Sequence, residues 1–97
     1  MYAVIFRARI AELDGEYRRV AARMRELATE KYGCKEFVSV TEGDEEIAIS
    51  YWEDERQIAA WKEDTEHRRA QELGRSTWYR SYHVQVVEIK REYGKGA

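Results

Sequence analysis

The sequence predicts an α+β domain in the order strand, helix, strand, strand, helix, strand, and three features carry that prediction. Apolar residues alternate from Tyr2 to Ile10, and the apolar period lengthens to that of a helix after Leu13. Two further alternating segments meet at Glu42-Gly43-Asp44-Glu45, a short acidic turn.

In the first segment Tyr2, Val4, Phe6, Ala8 and Ile10 share one side, and Ala3, Ile5, Arg7 and Arg9 the other. The first face is therefore core, and the second ends in charge. Leu13, Tyr17, Val20, Met24 and Leu27 then recur at helical spacing, with Asp14 as a cap in the first turn and Gly33 as the stop. Glu36 to Glu42 and Glu45 to Trp52 pair as a hairpin whose turn glycine supplies a positive φ. Asp54 caps a second helix through Trp61, helical character resumes to about Leu73, and Gly74 ends it. A final strand spans Tyr82 to Tyr93. This is the split βαβ unit of the ferredoxin-like fold, a four-stranded antiparallel sheet with helices on one face. Residues 1–93 make one domain, and 94–97 a loose tail.

Helical phase decides where the second helix points its side chains. Unbroken from Asp54 to Leu73, the face of Ile58 and Trp61 would continue through Thr65, Arg69 and Glu72 and turn polar. A break near Glu63-Asp64-Thr65, capped by Asp64 or Thr65, instead places His67, Ala70, Gln71 and Gly74 on one inward face. The chain has no proline, so capping must make the break.

Composition narrows the function classes. With 17 Lys and Arg against 19 Asp and Glu, interspersed, there is no basic stripe for phosphates, and nucleic acid is not an expected partner. No apolar run approaches the ~18 residues of a membrane span, and no secretory signal is visible, so a cytoplasmic protein is expected. The one cysteine, Cys34, has no second thiol to pair with and reads as a partly buried thiol. Neither His67 nor His83 has ligand spacing to a cysteine or carboxylate, so no metal is expected, and there is neither a phosphate loop nor a serine elbow.

The hairpin has no hydrophilic face: Phe37, Ile47, Ile49 and Tyr51 oppose Val38, Val40, Ala48 and Trp52. The sheet's second side therefore needs cover, and a homodimer closing sheet against sheet supplies it. Arg7 and Arg9 on that side are read as an ion pair with Glu88 or another carboxylate, with an oxyanion anchor as the alternative.

All three tryptophans and both histidines fall between Trp52 and His83. Trp52 reads as structural, and Trp61 as core or ligand contact. His67, with Gln71 a turn away, reads as a core residue or as a hydrogen-bonding and proton-shuttling group. Trp78, Tyr79 and Tyr82 read either as an aromatic seal with hydroxyls capped by backbone or as a pocket wall. His83 opens the last strand and is expected at the surface or the interface.

The element order, with Tyr51-Trp52-Glu53-Asp54-Glu55, Ala60-Trp61, Glu66-His67-Arg68-Arg69-Ala70-Gln71, Gly74, Trp78-Tyr79, Tyr82 and Val87-Glu88-Ile89-Lys90-Arg91-Glu92-Tyr93, resembles the antibiotic biosynthesis monooxygenase domain family. The resemblance covers nearly the whole chain and implies a dimeric α/β barrel with a pocket between helices and sheet. Members include cofactor-independent oxygenases of phenolic polyketides or quinols, haem-degrading enzymes, and small proteins without assigned substrate. The haem-degrading branch uses an Asn on strand 1, a Trp on helix 2 and an axial His ten residues later. Trp61 matches that Trp, but Gln71 stands at the His position and Arg7 close to the Asn position. The resemblance thus implies an oxygenase without cofactor, acting on a small aromatic or quinone-like ligand. His67 is the candidate base, Trp61 and Trp78 wall the pocket, Gln71 and Tyr82 orient oxygen substituents, and Phe6 and Met24 complete the substrate contacts. A non-catalytic binding module of the same fold and a haem protein ligated through His67 are the alternatives.

Overall fold

The computed structural model describes residues 1–96. Strands β1 (Tyr2–Ile10), β2 (Glu36–Glu42), β3 (Glu45–Trp52) and β4 (Tyr79–Glu88) form one antiparallel sheet in the order β2-β3-β1-β4. Helices α1 (Gly15–Glu26), α2 (Glu55–Glu63) and α3 (Thr65–Leu73) cover one face, which gives the ferredoxin-like α+β fold expected from the sequence. No helix among the described residues is long and apolar enough to cross a membrane.

Caps set the helix boundaries. The Asp14 carboxylate accepts from the backbone N–H of Glu16 and Tyr17 at 3.1 and 3.0 Å, so α1 begins at Gly15 and Leu13 is left 41% exposed in the preceding loop, not on the helix as its spacing suggested. Past Glu26 the helix widens into a π-helical turn, Leu27–Lys31, before Gly33 turns the chain at φ 83°. Asp54 and Gln57 form a capping box that starts α2. The break comes at Asp64, whose ψ of 136° leaves helical space while its carboxylate accepts from Glu66 N at 2.9 Å. Capping alone separates α2 from α3, as the absence of proline required.

Two boundaries depart from expectation. Gly74 does not end its helix: it keeps a helical φ of −61°, and a π-helical turn runs on from Gly74 to Trp78. Strand β4 begins at Tyr79 and stops at Glu88, earlier at both ends than Tyr82 to Tyr93, because its pairing is set by β1, which offers partners only from Ile10, opposite Tyr79, to Tyr2, opposite Glu88. Of the expected tail, Gly94 to Gly96 lie outside any helix or strand, and Ala97 lies outside the described residues.

The core joins the helix-facing side of the sheet to the helices: Val4 and Trp52 pack with Met24, Leu27, Ala28, Cys34, Ile58 and Trp61. Cys34, expected as a partly buried thiol, lies buried in this core; desolvation pushes its pKa up, which suits an inert core residue.

Hairpin register corrects the expected faces of the sheet. The pairs Glu42↔Glu45, Val40↔Ile47 and Val38↔Ile49 put even-numbered residues of β2 beside odd-numbered residues of β3. Val38 and Val40 therefore lie with Ile47, Ile49 and Tyr51 on the outer side, where they are 43% and 61% exposed, while Phe37 joins Ala48 and Trp52 inside. Arg7 and Arg9 lie on the outer side as expected, but Glu88 sits opposite Tyr2 on the helix side and cannot meet them; Arg9 pairs with Asp44 at 3.4 Å. His83 does not open its strand but lies within β4, exposed and opposite Arg7.

Candidate functional site

The break at Asp64 aims His67 at the core's edge. Its ring lies 4.2 Å, centroid to centroid, from that of Trp61, and its Nδ1 is 3.0 Å from the Trp61 carbonyl oxygen. A carbonyl can only accept, so Nδ1 carries the proton. Burial lowers the His67 pKa below the ordinary 6.5, against a smaller opposing effect of that hydrogen bond. The imidazole is thus neutral at pH 7, with the Nε2 lone pair free to accept a hydrogen bond or a proton. Trp61 itself is 6% exposed, donates its indole N–H to the Met24 carbonyl at 3.2 Å, and packs on Trp52 and Phe37. It is a core residue that backs His67. Met24, also in the core, lines a groove of about 380 Å³ between α1 and α3.

A second aromatic group lies at the other end of α3. Trp78 is buried, donates its N–H to Asp14 at 3.2 Å and meets Tyr17 edge-on. Phe6 contacts both Tyr79 and Tyr82, with centroids 5.2 and 5.9 Å apart. The hydroxyls here are not capped by backbone, as the sealing reading assumed: Tyr79 donates to Glu46 at 2.7 Å, and Tyr82 accepts from Arg75 Nε at 3.4 Å. The structure therefore brings His67 together with Trp61, and Phe6 together with Tyr82 near Trp78, in separate groups; half-buried Gln71 lies between their ends on α3.

A trough of uncovered apolar surface runs along β4 from the second group. Helix α3 packs against α1 and α2, and on the helix-facing side of β4 Tyr82, Val84 and Val86 remain 40%, 41% and 43% exposed, in register with Ala8, Phe6 and Val4 of β1. Apolar surface is thus uncovered on the side of the sheet that the helices serve. A larger depression of about 530 Å³ beside Lys31, Gly33 and Arg56 is a weaker candidate, because both cations are already paired, with Asp64 and Asp54. Among the described residues no three His, Cys, Asp or Glu side chains cluster to hold a metal ion.

The sequence reading passed over Glu46, which is 7% exposed beneath Tyr17 and Tyr79. Its position was readable in principle: Glu46, Ala48, Ser50 and Trp52 share one phase of β3, and that phase is the core side.

The fold is shared with solved structures that include a putative antibiotic biosynthesis monooxygenase from Deinococcus radiodurans, with a TM-score of 0.79 at 8% identity over 100% of each chain. SnoaB from Streptomyces nogalater, a cofactor-independent oxygenase solved in a mutant form, superposes with a TM-score of 0.80 at 12% identity, covering 97% of each chain. Rv0793 from Mycobacterium tuberculosis gives 0.80 at 14% identity over 96% of this chain and 98% of its own. These identities establish the fold alone. In sequence the chain is 42% identical over 92 residues to the uncharacterized protein YqjZ of Bacillus subtilis (strain 168), covering 94% of this chain and 81% of that protein. The chain belongs to the YqjZ family. No family model matches it.

Proposed function

We propose that this chain is a cytoplasmic, homodimeric, cofactor-independent oxygenase of small phenols or quinols, with the trough beneath α3 as its binding site. The observation that carries the reading is the neutral His67, its Nδ1 proton held by the Trp61 carbonyl and its Nε2 lone pair free. A substrate hydroxyl gives its proton to Nε2, and the resulting phenolate passes an electron to dioxygen. Superoxide and the substrate radical join at a ring carbon. Cleavage of the O–O bond with loss of that carbon's hydrogen then leaves one oxygen as a carbonyl and releases the other as water. Gln71 and Tyr82 orient the substrate oxygens, and Phe6, Met24, Trp61 and Trp78 form or back the apolar walls. The likeness to SnoaB supports this class of chemistry.

Oxygen uptake with 1-naphthol and anthrone tests it. Protein-dependent uptake with one quinone and one water formed per dioxygen is expected; no uptake above the protein-free rate with either compound refutes the oxygenase reading. A second reading, a binding module without turnover, is favoured by the openness of the trough at Val84 and Val86, which admits water to the site. It predicts a ligand-dependent rise in melting temperature without oxygen uptake.

What supports the homodimer is the outer side of the sheet, where Val38 and Val40 stand exposed beside Ile47 and Ile49. Light scattering at micromolar concentration should give about twice the 11.5 kDa of one chain, and Val40→Lys should return the mass of one. A wild-type mass of one chain contradicts the dimer.

A further inference from the structure

The helical side of the molecule carries a recess whose floor and rim differ in chemistry. The groove of about 380 Å³ between α1 and α3 is floored by Val20 and Met24 from one helix and by Ala70 and Leu73 from the other. Val20 and Met24 are four residues apart and Ala70 and Leu73 three, so each pair stacks along a single turn of its helix. The apolar floor is therefore about 5 Å long, which suits a ring and not an extended chain. None of the lining residues comes from β4, so the groove is separate from the trough proposed above.

Around this floor stand the guanidiniums of Arg19, Arg23 and Arg69 with one carboxylate, that of Glu66. The balance is opposite in sign to that of the chain, whose net charge is −2. Arg23 takes both oxygens of Glu66, with Nε donating to Oε2 at 2.9 Å and Nη2 to Oε1 at 3.2 Å, and it also meets Glu26. Its hydrogen bonds hold the Glu66 carboxyl below the usual carboxylate range, so that pair stays ionised and closed.

The consequence falls on Arg69. Glu66 lies three residues before it and is the partner that helical spacing offers, yet that carboxylate is committed to α1. Among the described residues Arg69 forms no ion pair, and Arg19 reaches only Glu16, at 3.5 Å and with its own side chain 78% exposed. An apolar floor beneath guanidiniums that lack a firm partner suits a ligand with an apolar body and an anionic head. The guanidinium fork matches the two oxygens of a carboxylate. Ionised Glu66 at the same rim repels a second negative charge, which favours a monoanion over a phosphate dianion.

We propose that the groove between α1 and α3 is a binding site for a small aromatic carboxylate, its ring on the floor of Val20, Met24, Ala70 and Leu73 and its carboxylate on Arg69 and Arg19.

Titration calorimetry with 2-naphthoate, its neutral amide 2-naphthamide and acetate tests this on the wild type, Arg69→Gln, Arg18→Gln and Val84→Ser. All three positions are exposed, and thermal melting checks that each variant folds. The wild type should bind naphthoate about tenfold more tightly than the amide and acetate not measurably. Arg69→Gln should weaken naphthoate by about fivefold and leave the amide unchanged. Arg18→Gln removes the same charge outside the groove, and Val84→Ser alters the trough; both should keep naphthoate affinity within about twofold. No measurable naphthoate binding, equal affinity for the amide, acetate binding as tight as naphthoate, or undiminished naphthoate binding by Arg69→Gln overturns the proposal. So does an equal loss in Arg18→Gln, the mark of a general charge effect, or a loss in Val84→Ser, which moves the ligand to the trough.

Discussion

Replacing Trp52 by alanine is expected to cost about 3–5 kcal/mol, the range for emptying a buried tryptophan site. Trp52 is fully buried, its ring lies 5.3 Å from that of Trp61, and its indole N–H donates to Ser50 Oγ at 2.8 Å. The substitution thus opens a cavity at the junction of β3 and α2 and leaves the buried Ser50 hydroxyl without its donor. Because a small domain has only about 5–15 kcal/mol of stability, much of the folded population is at stake. Equilibrium urea unfolding measures the loss. Trp52→Phe, which keeps an aromatic ring and removes the N–H, should fall between the two, and a loss for alanine below about 1 kcal/mol would contradict the core described above.

The second large effect is on turnover. His67→Ala should slow oxygen uptake by about 10²- to 10⁴-fold, the usual contribution of a positioned base. The wild-type rate should be flat from neutral pH down to about 6.5 and fall only below it, because burial holds the His67 pKa under 6.5 and the neutral form persists. The same shift carries a stability sign. Below pH 6.5 the unfolded chain binds a proton that folded His67 resists, so stability is lost as pH falls from 6.5 towards the folded value, and His67 contributes no slope above 6.5. His67→Phe should therefore flatten the acid side of a melting-temperature profile. A wild-type rate that already declines between pH 7.5 and 6.5, or an acid limb unchanged in His67→Phe, would show that His67 titrates freely.

Much of the site could be read from periodicity because its supports are local. The i, i+3, i+4 phase rejected a continuous helix from Asp54 to Leu73, and Asp64 does interrupt it with its own carboxylate as the cap. That one local event turns His67 onto Trp61. Cys34 was read as a partly buried thiol and Trp52 as structural, and the structure buries both.

What stayed hidden depends on contacts between distant segments. The tryptophans and aromatics from Trp52 to Tyr82 are near one another in sequence, yet α3 lies between Trp61 and Trp78, and the aromatics form two groups. The Tyr17–Glu46–Tyr79 cluster draws one residue from each of α1, β3 and β4, and no spacing rule links them. Even the faces of the hairpin required the Glu42↔Glu45 pairing, since a change of one residue in register inverts every side chain.

The sequence by itself determined the order of elements, the aspartates that cap the helices and the inward phase of His67, because these follow from backbone geometry and side chains within a few residues. Only the tertiary structure decided that Gly74 leads into a further helical turn and does not end one, that Glu46 is buried beneath two phenols, and that β4 leaves apolar surface open towards the helices. Each of those depends on which strands pair and how far the helices reach across them, and both are set by packing between segments far apart in the chain.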